Sequence, residues 1–324
     1  MSLSLFFRGE RMKQYIGVEI GGTKQQLASF DEEGNLIELI SERIPLPNGA
    51  DDIRGWIEEN LPRLVSADTV GIGVGFGGIV DSRTGISFAS VHVKGWDRFP
   101  LKTWFEEKFG LPTTVVNDTV CGGYAEVLFG TGKGIDYFFY TNIGTGCGGA
   151  LFIKGKNYDG FGTGGAYLGQ MLVPSWDGET DVARMETICA GSFWEKRLRA
   201  QGYIPEDSLL YKSLGGRTDT VSCADLCRTA REGDPFSLAE IDRWARRYAT
   251  ALSNFITCFG LQRVSIGGGV ANAGDIVLDP VRKYVDAFAF MSVEGRYDIV
   301  RCRSMDHAVV IGAAMYARDG FVSL

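Results

Sequence analysis

The chain has 324 residues, of which 45% are hydrophobic and 23% charged, and this composition excludes an intrinsically disordered protein. Its formal net charge is −7 and its Lys/Arg runs are no longer than two residues, so neither nucleic acid nor an anionic membrane surface is an expected partner. No apolar run approaches the roughly 18 residues that a membrane span needs. The apolar stretch after Met1 is too short for an export signal, so we expect a cytoplasmic protein.

The first part of the chain alternates predicted strands and helices. Residues 15–43 predict two or three strands, joined by turns at 21–24 and 31–35. The elements that follow are predicted to be an amphipathic helix over 51–64, a buried strand from 70 to 75, a helix over 99–109, a strand over 113–116 and a helix over 119–128.

Residues 136–158 repeat the opening plan of strand, Gly/Thr turn and strand, which indicates an internal duplication. The region 184–257 has a mostly helical pattern, and a short strand over 263–266 ends in a glycine triplet. An apolar helix of small residues follows at 308–317. A chain of this length favours two domains, and the layout predicts two α/β lobes with a ligand between them.

Glycine is the most informative residue type, because the 44 glycines are clustered. The clusters Gly73–Gly78 and Gly144–Gly149 both match G-x-G-x-x-G, which indicates dinucleotide binding only where a helix follows at once. Strand-like segments follow both clusters instead. The remaining interpretations are a hairpin turn whose backbone N–H groups hold phosphate, or a hairpin turn with no ligand.

These motifs together resemble the ROK family of sugar kinases and repressors, within the actin/hexokinase-like ATPase superfamily. Ile20–Lys24 is similar to the first phosphate motif of the family, Ile143–Gly149 to the second, and Ile266–Val270 to the adenosine motif. The segment Gly75–Asp81 resembles the sugar-side loop. Asn117-Asp118 matches the Asn-Asp pair that holds the substrate and supplies the base.

The resemblance implies a two-lobed actin-like ATPase fold of the α/β class (ribonuclease H-like), with the active site in the interlobe cleft. It implies an N-terminal lobe over 12–118, completed by the C-terminal helix at about 308–320, and a C-terminal lobe over 119–307. Family members are often dimers, so a homodimer is expected.

The implied activity is the ATP-dependent phosphorylation of a hydroxyl group on a sugar or sugar-like small molecule, with Mg²⁺. Asp118 would be the general base, because a carboxylate that accepts the hydroxyl proton helps a poor nucleophile to attack. Asn117 and Asp118 could also serve only as a helix cap. The residues expected to bind nucleotide are Gly21, Gly22, Thr23, Lys24, Gly144, Thr145, Gly146, Gly267, Gly268 and Gly269. Those expected to bind substrate are Gly77, Gly78, Asn117, Tyr167, Gln170 and Glu186.

The sequence departs from the family pattern in ways that bear on metals and on the substrate. Glu19 stands where Asp is usual and becomes the candidate Mg²⁺ ligand. Tyr167 replaces a sugar-binding Glu, and Gln170 replaces the zinc-binding His. The cysteine cluster of the zinc site is also absent, so no zinc is expected. We hypothesise a substrate that differs from glucose in hydroxyl geometry or carries an acidic or amide group.

Two other functions remain open. The altered sugar motif is compatible with a catalytically weak ligand sensor that keeps the kinase fold. A transcriptional regulator is less expected, because repressors of the family carry a helix-turn-helix domain ahead of the first phosphate motif, which begins at residue 20 in this acidic chain.

Overall fold

The structure is a computed structural model, and it describes residues 12–22, 24–90, 93–176, 178, 181–303 and 307–324. The chain divides into two compact units. The first consists of the described residues up to Ala125 together with Asp159–Gly164 and His307–Ser323. The second holds Glu126–Tyr158, the described residues from Gly165 to Arg303, and Leu324. The domain boundaries predicted at 118 and 307 stay a prediction.

The strands are β1 (Gln14–Ile20), β2 (Gln25–Phe30), β3 (Leu36–Glu42), β4 (Thr69–Phe76), β5 (Ile79–Asp81), β6 (Ile86–Ala89), β7 (Phe99–Pro100), β8 (Thr113–Asn117), β9 (Tyr137–Ile143), β10 (Cys147–Ile153), β11 (Lys156–Asn157), β12 (Leu172–Pro174), β13 (Val182–Arg184), β14 (Arg263–Gly267) and β15 (Asp298–Arg301). The α-helices are α1 (Ala50–Asn60), α2 (Leu101–Phe109), α3 (Asp118–Phe129), α4 (Glu186–Cys189), α5 (Gly191–Leu198), α6 (Leu209–Ser213), α7 (Cys223–Arg231), α8 (Pro235–Phe259), α9 (Asp275–Phe288) and α10 (Ala308–Asp319). Short 3-10 helices cover Leu61–Arg63, Leu168–Gln170, Thr218–Thr220 and Ala271–Ala273. Among the helices of the described ranges, none is long and apolar enough to cross a membrane.

A five-stranded sheet in the order β3-β2-β1-β4-β8 forms the frame of the first unit. Strands β1 to β3 are antiparallel neighbours, whereas β4 and β8 run parallel to β1. Strands β1, β4 and β8 are parallel, so they end at the same edge of the sheet. Near this edge Glu19 of β1 lies opposite Gly75 of β4, and Gly75 lies opposite Val116 of β8. The chain segments that leave this edge are the ones that carry the predicted phosphate and substrate motifs.

Helix α10 packs directly on β1 and β4 through glycines on the sheet. A Cβ atom added to Gly17 would overlap the carbonyl oxygen of Val310, and one added to Gly73 would overlap that of Ala313. The absence of side chains at these two strand positions therefore lets the helix backbone approach the sheet backbone closely. This contact explains why the apolar C-terminal segment contains so many small residues.

The second unit repeats the topology of the first. Its sheet has the order β11-β10-β9-β14-β15, with β10 antiparallel to β9 and β11, and with β14 and β15 parallel to β9. Three antiparallel strands followed by two parallel ones are thus found in both units. This agreement supports the internal duplication predicted from the repeated strand–turn–strand pattern.

The large core of the second unit fixes the helices around this sheet. The rings of Trp194 on α5 and Trp244 on α8 stack with centroids 5.1 Å apart, and Tyr248 stacks on Trp244 at 5.3 Å. The indole N–H of Trp244 donates to the carbonyl oxygen of Cys189, 2.9 Å away, at the end of α4. These buried contacts hold α4 and α5, whose first residues face the predicted nucleotide and sugar motifs of this unit.

Candidate functional site

The predicted base, Asp118, is the first residue of α3 and follows β8 directly. A Cβ atom on Gly77 would lie 3.3 Å from Asp118 Oδ2 and 2.9 Å from the carbonyl oxygen of Ile20. Gly77 is held there because its N–H donates to that Ile20 carbonyl at 2.8 Å. The missing side chain at Gly77 therefore lets this loop approach Ile20 and the Asp118 carboxylate closely.

Asn117 makes hydrogen bonds in two directions. Its Oδ1 accepts the N–H groups of Thr119 at 3.0 Å and Val120 at 3.3 Å, which is the bonding of a helix N-cap. Its Nδ2 donates to the carbonyl oxygen of Gly78 at 3.0 Å. The capping alternative is therefore real for Asn117, and the same side chain also ties the start of α3 to the Gly77–Gly78 loop. Asp118 Oδ1 accepts the Thr119 N–H at 2.7 Å as well.

Glu19 is the second carboxylate at this edge of the sheet. The pKa of Glu19 is raised to about 7, mainly by burial; Lys24 acts to lower this pKa, and the negative charge of Asp118 acts to raise it. The Lys24 Nζ atom lies 3.9 Å from Glu19 Oε2. The carboxylates of Glu19 and Asp118 repel each other, and Lys24 offsets only one negative charge. A divalent cation with oxygen ligands would stabilise the two carboxylates in their charged form.

The first glycine turn is closed by a side chain that the sequence motifs did not reveal. Gln25 Oε1 accepts the Gly21 N–H at 3.2 Å, and Gln25 Nε2 donates to the Gly21 carbonyl oxygen at 2.8 Å. Gln25 is 1% exposed, and its pair of bonds to Gly21 is partly buried. The amide of Gln25 thus fixes the start of the turn that leads to Gly22 and Lys24. Thr23 lies outside the described residues.

The second glycine turn, between β9 and β10, is held from one side by the start of α5. The Gly144 N–H donates to Gly146 O at 2.9 Å within the turn. The Gly191 N–H donates to Gly144 O at 2.8 Å, and Ser192 Oγ donates to Thr145 O at 2.5 Å. A Cβ atom added to Gly144 would meet no atom within 4 Å. Helix α5 therefore engages the carbonyl oxygens of Gly144 and Thr145, and there is open space beside Gly144.

The third cluster, Gly267–Gly269, lies against the end of β9. Gly268 has a φ of +86°, and a Cβ atom there would overlap the carbonyl oxygen of Ile143. The Val270 N–H donates to that same oxygen at 3.1 Å. Because a left-handed φ and a backbone contact coincide at Gly268, only glycine fits. An added Cβ at Gly269 would meet no atom within 4 Å.

The residues predicted for sugar binding in the second unit centre on Glu186. Glu186 Oε2 accepts the Cys147 N–H at 2.9 Å, and its Oε1 accepts from Gln170 Nε2 at 3.3 Å. Arg184 Nη1 donates to Gln170 Oε1 at 3.0 Å. Tyr167 precedes the 3-10 turn Leu168–Gln170, and its carbonyl oxygen accepts the Gln170 N–H at 3.0 Å.

The structure thus gathers the predicted residues into two sets, each within its own unit. The set in the first unit is Glu19, Gly21, Gly22, Lys24, Gly77, Gly78, Asn117 and Asp118. The set in the second unit is Gly144, Thr145, Gly146, Tyr167, Gln170, Glu186, Gly267, Gly268 and Gly269. Sequence reasoning missed Gln25 and Arg184. Both stand within a few residues of a motif, but neither belongs to one. In the part of the chain that the structure describes, no group of three or more His, Cys, Asp or Glu residues is arranged to hold a metal ion.

The chain is similar to known proteins over nearly its whole length. The model of the ROK family matches residues 15–320. A glucokinase of Streptomyces coelicolor is 30% identical over 327 residues, covering 94% of this chain and 97% of the relative. A glucokinase of Thermotoga maritima is 28% identical over 309 residues, with the same shares covered.

Among solved structures, a ROK family glucokinase from Streptomyces griseus in complex with glucose and AMPPNP is similar, with a TM-score of 0.81 and 27% identity. That match covers 95% of this chain and 100% of the other. The predicted two-lobed actin-like ATPase fold is therefore confirmed. With a family match over nearly its whole length, the chain belongs to the ROK family.

Proposed function

We propose that the protein transfers a phosphoryl group from ATP to a hydroxyl group of a sugar or sugar-like small molecule. It is an ATP-dependent sugar kinase of the ROK family, and two relatives that are named glucokinases are similar to it over 94% of its length. The observation that carries the proposal is the position of Asp118, directly after β8, where its Oδ2 lies toward Gly77 and its charge raises the pKa of Glu19.

Asp118 is the general base in this proposal. A sugar hydroxyl is a weak nucleophile, and a carboxylate within hydrogen-bond reach takes its proton as the oxygen attacks the terminal phosphorus of ATP and ADP leaves with the bridging oxygen. The Thr119 N–H bond to Asp118 Oδ1 fixes the carboxylate, while Oδ2 lies toward Gly77. Asn117 and Gly78 then line the substrate side of the base, because Asn117 Nδ2 holds the Gly78 carbonyl.

The residues present fit ATP and Mg²⁺. The open space beside Gly144 and Gly269 leaves room for phosphate and nucleoside, and Lys24 supplies a positive charge at the first turn. Because the Gly21 N–H is engaged by Gln25, phosphate binding at that turn falls to Gly22, Thr23 and Lys24. Glu19 would hold Mg²⁺, since a cation would offset the burial and repulsion that raise its pKa. When bound, Mg²⁺ neutralises charge on the phosphates.

On the sugar side, Glu186 accepts hydrogen bonds from hydroxyl groups, and Tyr167 and Gln170 shape the neighbouring space. Zinc is not part of the proposal, because both polar ends of the Gln170 amide are engaged by Arg184 and Glu186. We also propose a homodimer in the cytoplasm that has no nucleic-acid partner, in keeping with a net charge of −7.

The test is a coupled phosphotransfer assay of wild type and Asp118→Asn across hexoses, ketoses, amino sugars and polyols. Loss of a general base lowers kcat by about 10²- to 10⁴-fold, while sugar and ATP binding persist. The matched control is Asp219→Asn, because Asp219 is exposed in the second unit and the change removes the same charge. The control should keep wild-type kcat.

Equal kcat in Asp118→Asn and wild type would exclude Asp118 as the base. Sugar binding by the wild type without turnover of any compound in the panel would instead assign the protein as a ligand sensor. Ordinary turnover of D-glucose would overturn the hypothesis that Tyr167 and Gln170 redirect the site to another class of substrate.

A further inference from the structure

The side chains of Arg184, Gln170 and Glu186 form a chain of hydrogen bonds that ends at Cys147, directly after the second glycine turn. Arg184 Nη1 donates to Gln170 Oε1 at 3.0 Å, and Gln170 Nε2 donates to Glu186 Oε1 at 3.3 Å. Glu186 Oε2 accepts the N–H of Cys147, the first residue of β10. The Glu186 carboxylate is therefore held at both oxygens.

The fold brings these side chains together from three short elements. Gln170 ends the 3-10 turn that leads into β12, and Arg184 ends β13. The two strands pair so that Arg184 lies opposite Leu172. The Met185 N–H donates to Met171 O at 2.8 Å, which continues the pairing beyond the strands and delivers Glu186 to the start of α4.

Arg184 determines which way the Gln170 amide points. A guanidinium group has donors and no acceptor, so it can pair only with the carbonyl end of the amide. The NH₂ end must then face Glu186. Without Arg184, the amide gains a second orientation that presents its oxygen to the carboxylate and offers no hydrogen bond. Gln170 and Arg184 are both exposed, so water competes with these bonds and a specific partner is needed to keep one orientation.

We propose that Arg184 is a positioning residue for the sugar site, acting through the oriented amide of Gln170 on the Glu186 carboxylate. The inference rests on the proposed function, in which Glu186 accepts hydrogen bonds from the sugar. A carboxylate that receives one protein donor on each oxygen keeps acceptor capacity for substrate hydroxyl groups. Such a site recognises neutral, hydroxyl-bearing sugars, and the positive charge of Arg184 faces Gln170 rather than the substrate.

The test uses wild type, Arg184→Ala, Arg184→Lys and Gln170→Glu. It measures the KM for two neutral sugars, D-glucose and N-acetyl-D-glucosamine, the KM for the anionic D-gluconate, the KM for ATP, and the melting temperature. Arg184→Ala should raise the KM of both sugars about three- to ten-fold, the effect of one lost hydrogen bond. Arg184→Lys keeps a donor and should restore most of the affinity. Gln170→Glu keeps the bond to Arg184 but sets a second carboxylate against Glu186, so its sugar KM should rise further.

The control is Arg217→Ala, which removes an exposed arginine elsewhere in the second unit and should leave the KM of both sugars unchanged. The ATP KM and the melting temperature should stay at wild-type values in every variant. A wild-type sugar KM in Arg184→Ala would overturn the proposal, as would equal losses in sugar KM, ATP KM and melting temperature. A loss confined to D-gluconate would also overturn it, by showing that Arg184 contacts an anionic substrate directly.

The wild type in the same assay judges the proposed function separately. If it transfers no phosphoryl group to any compound of the panel described above, the proposed function fails, and sugar binding measured by calorimetry without nucleotide then decides on Arg184. The same order of affinities across the four proteins would support the positioning role. Equal affinities, or no sugar binding by the wild type, would overturn it.

Discussion

Replacing Asn117 by serine and by alanine should separate two roles of one side chain. Asn117 Oδ1 caps α3 by accepting two backbone N–H groups, and Nδ2 donates to the Gly78 carbonyl oxygen. Serine caps helices about as well as asparagine does. Its shorter side chain cannot cap α3 and reach Gly78 together, and alanine can do neither.

The expected magnitudes follow from these bonds. Loss of an N-cap costs about 1 kcal/mol of stability, and loss of a hydrogen bond such as that to Gly78 costs about 1 kcal/mol. Asn117→Ala should therefore be destabilised by about 2 kcal/mol and Asn117→Ser by about 1 kcal/mol. For a unit of this size, roughly 2–4 °C per kcal/mol gives a fall in melting temperature of roughly 4–8 °C and 2–4 °C, respectively. Both variants lose the bond that holds Gly78, so the sugar KM should rise about five-fold in each.

Differential scanning calorimetry combined with the coupled phosphotransfer assay measures both effects on the same samples. If Asn117→Ser melts as low as Asn117→Ala, the capping argument is wrong. If Asn117→Ser keeps the wild-type sugar KM, the bond to Gly78 does not shape the substrate site.

Two further changes test other contacts. Gly73→Ala should destabilise the first unit by about 3 kcal/mol or more, because the new Cβ overlaps the Ala313 carbonyl oxygen. The control Gly55→Ala, in an exposed helix position with no neighbour within 4 Å, should stabilise the unit by about 0.5–1 kcal/mol. Equal melting temperatures of the two variants in calorimetry would contradict the packing argument. Gln25→Ala removes both bonds to Gly21, so it should raise the ATP KM about five- to ten-fold with little change in the sugar KM. A change confined to the sugar KM would show that this turn does not bind the nucleotide.

Hydrophobic periodicity and glycine placement were sufficient to predict most elements of the fold, and the differences have local causes. The helix predicted over 51–64 ends as an α-helix at Asn60 and continues as a 3-10 turn, because Pro62 has no N–H to donate to the preceding turn. The hairpin turn predicted over Gly144–Gly149 is shorter than expected, since β10 already begins at Cys147. Gly149 lies within that strand, where an added Cβ would meet Ala166 O at 2.5 Å. A close backbone approach of this kind leaves a glycine in the sequence but does not identify its partner.

Candidate site residues that directly follow a strand could be predicted from the sequence. Those that depend on pairing with a side chain or turn elsewhere could not. Asp118 was predicted as the base from the resemblance of Asn117-Asp118 to the Asn-Asp pair of the family, and the structure places it directly after β8. Arg184 carries no signal, since its partner Gln170 is fourteen residues away and meets it only through the pairing of β12 with β13. In the sequence, Gln25 is an ordinary strand residue. Its role depends on the fold of the preceding turn, which brings the backbone of Gly21 against the Gln25 amide.

The packing of α10 on β1 and β4 delays the folding of the first unit during synthesis. The sheet of the first unit is complete in sequence by Asn117, but the helix that covers its glycine-lined face begins at Ala308. At ~5–20 residues per second, the intervening chain takes roughly 10–40 s to make, and throughout that time the nascent sheet lacks its cover. We therefore expect the first unit to become protease-resistant only once α10 has left the ribosome and can pack on the sheet.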